Sequence, residues 1–102
     1  MKKAKILFDG RFAGILSEDN GHYIFEYKKD YKGPSISRTM PREKEKFEFE
    51  EFPSFFDGLL PEGVNLEAFL RRTKIDRKDY FGQLLSAGRD LVGAVTVEAM
   101  RE

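Results

Sequence analysis

Few side chains in this 102-residue chain could carry out a reaction. It has one histidine, His22, and no cysteine. Nucleophilic dyads and triads, in which an imidazole activates a neighbouring hydroxyl or thiol, therefore have almost no raw material. His22 stands beside a turn, where a half-exposed strand end accounts for it better than catalysis or metal ligation. The glycines form no phosphate cradle, since neither GxGxxG nor a GxxxxGK loop ending in Ser or Thr occurs. Arg89-Asp90, following Gly88, could bind a phosphate, but a local salt bridge or turn suits the dipeptide better. Glu43, Glu45, Glu48, Glu50 and Glu51 resemble a cation site in number alone. No calcium-loop spacing is present, and such a charge run reads as a solvated face. Tyr23, Phe25 and Tyr27 could stack nucleobases, yet no basic residues interleave them on the same face, so core packing is expected. No catalytic residue, cofactor or metal is expected.

The totals agree. Lys plus Arg number 18 and Asp plus Glu number 18, a net charge of zero that removes the usual electrostatic warrant for nucleic-acid binding. The absence of cysteine rules out a disulfide framework and thiolate metal sites. Forty per cent hydrophobic residues, with ten Phe and four Tyr, argue for a packed core. A chain of this length forms one domain, residues 1–102, that buries roughly two-thirds of its unfolded surface. The charged start Met1-Lys2-Lys3-Ala4-Lys5 leads into only three apolar residues before Asp9, so no signal peptide or membrane span is read and the cytoplasm is the default compartment.

The elements are organised around Phe52–Gly63, which sets Phe55, Phe56, Leu59 and Leu60 on one broad apolar face between Pro53 and Pro61. Pro53 suits a first helical turn, and Pro61 bars Leu60 from the α region, which predicts a helix ending by about Leu59. Before this stretch the chain reads as strands. Ala4–Phe8 and Phe12–Leu16 flank Asp9-Gly10, a hairpin signal, and Gly14 suggests a bulge or a close backbone approach. The cluster Ser17–Gly21, strongest at Asn20-Gly21, turns the chain into a third strand, His22–Tyr27, with Tyr23, Phe25 and Tyr27 on one face. Ser35–Met40 alternates after the Gly33-Pro34 break, Arg42–Lys46 is a solvated loop or edge, and Lys46–Glu50 is a period-two strand with Phe47 and Phe49 inward.

After the central stretch the chain reads as helices. Asn65 is the expected cap of a helix whose apolar residues are Leu66, Phe69 and Leu70. A second is expected to start at Asp76, with Asp79 in a capping-box position and Ile75 and Tyr80 as a hydrophobic staple. Gly82 inside it suggests a close packing contact, and Gly88 is placed to end it in the left-handed conformation. Leu91–Val97 reads as a returning buried strand. The class is α+β: an antiparallel sheet, an N-terminal meander plus later strands, packed by two to three short helices.

Several stretches, in order and over nearly the whole chain, resemble the N-terminal subdomain of HipA-type serine/threonine kinases, toxins of bacterial toxin–antitoxin systems. They are Phe12–Leu16, Phe25–Tyr27, Ile36–Pro41, Phe55–Gly63 and Gly88–Val95. The resemblance implies that fold and no catalytic residues, because the segments that carry the family's phosphate loop and catalytic and metal-binding aspartates lie outside the matched stretches. It further implies a stand-alone HipS-like antitoxin of a split system, acting on a HipA-like kinase, with a DNA-binding HipB-like protein as a further partner in a larger complex. A chain with its own Met1 and a charged end at Arg101-Glu102 fits that expectation. The alternative is an accessory subunit, or an excised subdomain, needed for kinase activity or assembly. An accessory that contacts operator DNA ranks last on charge.

The residues expected to meet the partner are Pro61, Glu62, Gly63, Val64 and Asn65. They form a loop between a helix stopped by Pro61 and one capped at Asn65, so both ends are anchored on the core. Val64 is the only apolar residue at the tip, and Glu62 could meet a basic phosphate-binding site. The competing reading is a plain connector whose Val64 folds back onto Phe69. The polar face of Ser35–Met40 is the next candidate.

Overall fold

The computed structural model describes residues 2–91 and 93–100. Three strands, Lys2–Phe8 (β1), Arg11–Asp19 (β2) and His22–Tyr27 (β3), form an antiparallel meander. Its two turns carry Asp9 at φ 49° and Asn20 at φ 52°, each followed by a glycine that also has positive φ. This is the hairpin geometry whose twist matches that of the strands it joins. β2 is longer than its apolar run, because Ser17, Glu18 and Asp19 pair with Ile24, Tyr23 and His22; the turn is Asn20-Gly21 alone. Lys46–Phe49 (β4) pairs with β3, and Val95–Ala99 (β5) returns to pair with β1, giving the order β4-β3-β2-β1-β5.

Gly14 meets both expectations held for it. Ile6 pairs with Gly14 and Leu7 with Phe12, so Ala13 is the extra residue of a bulge. A side chain at Gly14 would also sit 2.5 Å from the Glu26 carbonyl oxygen and 2.8 Å from the Phe25 ring.

Three helices complete the α+β architecture: Ser54–Asp57 (α1), Gly63–Thr73 (α2) and Tyr80–Ala87 (α3). The alternating apolar residues of the strands, Ile6, Leu16, Phe25, Tyr27 and Val97 among them, form one core with Phe56, Leu60, Phe81 and Leu84. The rings of Phe25 and Phe56 lie 6.0 Å apart, and those of Phe25 and Tyr27 meet edge to face at 4.8 Å.

The starts of three elements and the conformation of one cap differ from the sequence reading. α2 begins at Gly63 with Glu62 as its cap, so Asn65 lies inside the first turn. α3 begins one turn later than Asp76: Asp76 closes a separate turn onto Lys78 N–H (2.8 Å), and Asp79 is the cap, accepting from Gly82 N–H (2.9 Å). Gly82 is close-packed as expected, against that capping carboxylate. Gly88 is right-handed (φ −50°, ψ −36°); its missing side chain admits the Val97 carbonyl, with which a Cβ would collide, and its own carbonyl accepts from Val97 N–H (3.0 Å). β5 starts at Val95, after Gly93 at φ 105° interrupts the extended run, and it continues past Val97 because Lys5 and Ala4 of β1 pair with Glu98 and Ala99. Val92, within the expected strand, lies outside the described residues, as do Met1, Arg101 and Glu102.

The long segment between β3 and β4 folds around two phenols. Tyr27 Oη accepts from Ile36 N–H (2.9 Å) and donates to the Met40 carbonyl. Tyr31 stacks on Tyr27 with ring centroids 6.0 Å apart and donates to the Pro34 carbonyl (2.7 Å). Burial raises the pKa of both hydroxyls above the ordinary tyrosine value. Tyr23 is pushed up to about 12, first by burial and then by the Glu18 carboxylate that accepts its hydrogen bond. A phenol whose folded pKa is raised stabilises the fold below its unfolded value, near 10, and that contribution is lost as pH rises through the folded value. Unfolding stability in denaturant should therefore hold from pH 7 to 9 and fall above about pH 10, the unfolded phenol value. Tyr27→Phe strands the buried Ile36 N–H and should cost about 1–3 kcal/mol at pH 7 by the same measurement.

Candidate interaction surface

The surface is built outward from α1. Pro53 caps that helix with φ −59° and ψ 132°, and its carbonyl accepts from Asp57 N–H (3.0 Å). One turn of helix carries Phe56 to the centre of the core at 0% exposure. The next turn is closed by Leu59 N–H to Phe56 and Leu60 N–H to Asp57, both 3.1 Å, which buries Leu60 beneath the emerging chain. Pro61 then fixes an exit in which Glu62 is extended (φ −131°, ψ 159°).

Pro61–Asn65 is therefore not a loop between two helices. The Glu62 carbonyl accepts from Asn65 and Leu66 N–H at 3.1 and 3.2 Å, and Gly63, Val64 and Asn65 are the first turn of α2. Gly63 opens the helix at φ 58°, the left-handed region that costs other residues about 1–2 kcal/mol. The Glu62 side chain makes no capping hydrogen bond, and its charge lies at the positive end of α2. Val64 is 83% exposed, which excludes the arrangement in which it folds back on Phe69.

These residues form a ridge between two clefts. One, of about 520 Å³, is lined by Leu59, Phe69, Ala87 and Leu91; the other, of about 350 Å³, by Leu66, Arg77, Tyr80 and Gln83. Leu60, Pro61 and Glu62 border both. α2 reaches outward, with Phe69 its one fully buried side chain. Its far end is held by Thr73 Oγ1 donating to the Phe69 carbonyl (2.9 Å) and by left-handed Lys74. The exposed Arg77 guanidinium clasps Glu67 and holds that carboxyl below the usual carboxylate range. Gln83, buried at 2% exposure, donates to the Asp76 and Arg77 carbonyls (3.2 and 2.9 Å) and so fixes the turn that carries Arg77.

Residues 4–98 match the family described as the HipA N-terminal domain. The chain belongs to the HipA N-terminal domain family. A solved structure described as the N-terminal domain of HipA toxin superposes with a TM-score of 0.82 at 28% identity, over 100% of this chain and 95% of that one. A protein of Haemophilus influenzae (strain Rd), described as uncharacterized, is 30% identical over 102 residues, which are 100% of this chain and 96% of that protein. The chain thus corresponds to a HipA N-terminal domain and not to a kinase domain.

Within this HipA domain the remaining candidates fall into structural roles. His22 is a half-buried strand end whose Nε2 lies 3.3 Å from a Glu48 oxygen. Tyr23, Phe25 and Tyr27 are buried and offer no stacking platform. Arg89 and Asp90 are exposed, and Asp90 N–H closes a turn onto the Ala87 carbonyl (2.8 Å). Among the described residues, no group of three or more His, Asp or Glu side chains is placed to hold a metal ion. Ser35–Met40 is a turn with buried Ile36 and Met40, closed by Met40 N–H to the Ser37 carbonyl (3.1 Å), that presents Arg38 and Thr39.

The clefts escape sequence reasoning. Tyr80, expected in a hydrophobic staple with Ile75, is 40% exposed, because α3 starts late and Tyr80 becomes its first residue. The only local signal is Asp79, which is a better cap than Asp76 for a helix that needs Phe81 and Leu84 inward.

If the ridge is a presented surface, Val64→Asp and Glu62→Lys should each change unfolding free energy by less than about 1 kcal/mol. Gly63→Val should lower it by more than 1 kcal/mol, about the cost of a β-branched residue at positive φ. Denaturant titration of the three variants checks both.

Proposed function

We propose that this chain is an antitoxin that binds a HipA-like serine/threonine kinase and neutralises it by protein–protein contact. The observation that carries the reading is the pairing of family and extent. The HipA N-terminal domain family spans residues 4–98, and the Haemophilus influenzae relative is covered over 96% of its own length, so in that relative this unit makes up nearly the whole protein. A unit that is normally an N-terminal domain retains the surface by which it docks on its kinase when the two are separate chains. The ridge at Pro61, Glu62, Gly63, Val64 and Asn65 is the proposed contact, with Val64 as the apolar point and Glu62 directed at a basic phosphate-binding site. The protein itself performs no phosphotransfer, acts in the cytoplasm, and can join a HipB-like DNA-binding protein in a larger complex without touching DNA.

Co-expression with a HipA-like kinase that lacks its own N-terminal domain tests this directly. The chain should restore growth and co-purify with the kinase, through an interface of roughly 1,200–2,000 Å². Val64→Asp and Glu62→Lys, introduced separately, should weaken rescue while the proteins stay folded. Rescue by both variants equal to that of the parent would remove the ridge as the contact. Increased toxicity on co-expression would make the chain an activating subunit instead. ATP turnover by the chain alone, above a heat-killed control, would contradict the non-catalytic assignment.

A further inference from the structure

A second groove adjoins the cleft beside the ridge, and Asp57 and Tyr80 line both. Three aromatic rings run outward in a row. Tyr23 meets Phe52 edge to face at 5.4 Å, and Phe52 stacks on Tyr80 at 5.6 Å with an interplanar angle of 29°. The first ring is buried and the last is 40% exposed, so the row ends in an accessible aromatic face. These rings wall a groove of about 490 Å³ that Glu51, Asp57 and Lys78 also line. It shares Glu51 and Phe52 with an adjoining groove of about 450 Å³ that includes Glu50. Glu50, Glu51 and Asp57 are exposed, and among the described residues none of the three forms an ion pair. Two carboxylates, Glu51 and Asp57, thus line the groove with one ammonium, Lys78, and Glu50 adds a third carboxylate in the adjoining groove.

We infer that this groove receives an arginine-bearing segment of a partner protein, with the guanidinium lying on the Tyr80 ring and its N–H groups reaching Glu51 and Asp57. The aromatic wall selects a flat or apolar group, and the carboxylates select a cation. A guanidinium is both: planar, weakly hydrated, able to stack on a ring, and matched to carboxylates by its forked donors. An ammonium satisfies the charge but not the stacking. Nucleic acid and anionic lipid are disfavoured by like charge. A second copy of this chain across a two-fold axis would set the carboxylates against one another. The inference stands apart from the antitoxin reading, since it concerns the chemistry of the ligand and not the activity of the protein that carries it.

The test is a titration of the full, isotope-labelled chain with the blocked peptide Gly-Arg-Gly-Arg-Gly at low salt, followed by amide NMR shifts. The Lys and Glu versions of the peptide serve as comparisons. Shifts should concentrate on Gly21, Phe52, Asp57 and Tyr80, fall in the order Arg, Lys, Glu, and shrink on adding salt. Tyr80→Ser and, separately, Glu51→Gln should each weaken binding about threefold, the worth of one exposed cation–π or ion-pair contact. Glu51 is exposed and outside the helices, so its variant remains informative if Tyr80→Ser unfolds. Equal shifts with the Glu peptide, shifts elsewhere on the surface, or variants that bind like the parent would overturn the inference. Concentration-dependent broadening of these residues without peptide would also overturn it, by assigning the groove to self-association.

Discussion

The contact between Phe56 and Phe25 is the one on which the rest of the molecule depends. Both side chains are at 0% exposure, and their rings lie 6.0 Å apart at the point where helix meets sheet. α1 is four residues long and could not persist as an isolated helix. What holds it is the burial of Phe56, and removing such a side chain from a core costs about 3–5 kcal/mol against a total stability of about 5–15 kcal/mol. Gly14 makes the arrangement possible from beneath: with no side chain there, Phe25 lies directly on β2.

The ridge follows from that anchor. With Phe56 and Leu60 inside, Pro61 must emerge at the surface, and the extended Glu62 and left-handed Gly63 turn the chain into a helix that points away from the core. An 11-residue helix with one fully buried side chain lies near the low-stability end of a structure. Thr73, Lys74 and the Glu67–Arg77 clasp hold its far end. The apolar group it presents, Val64, is the most exposed large hydrophobic side chain among the described residues.

Much of this was legible in the residues and some was not, for physical reasons. Asp9-Gly10 and Asn20-Gly21 specify their turns because few other pairs tolerate positive φ at both positions, and with the turns fixed the meander follows. Period-two alternation placed Phe47 and Phe49 because one face of β4 is wet. Helix starts were harder. Asn65 and Asp76 are good caps by residue type, but Gly63 and the burial of Phe81 and Leu84 decided between neighbouring capping positions, and burial is a tertiary fact. Gly88 looked like a left-handed stop because the close approach of Val97, 9 residues away in sequence, leaves no local trace. The five ridge residues were singled out by the stop at Pro61 and an expected cap at Asn65 that lies instead at Glu62, whereas the clefts beside them and the Tyr80 groove arise only when α2 and α3 pack.

The central claim is that the first turn of α2 and the residues leading into it form the kinase-facing surface. Hydrogen exchange on this chain, alone and in complex with a HipA-like kinase lacking its own N-terminal domain, reads that claim amide by amide. The expected result is slowed exchange concentrated on Glu62, Gly63, Val64 and Asn65, with the amides of β1, β2 and β3 unchanged. Protection confined to the outer face of the sheet, with Gly63–Asn65 exchanging as in the free protein, would contradict it.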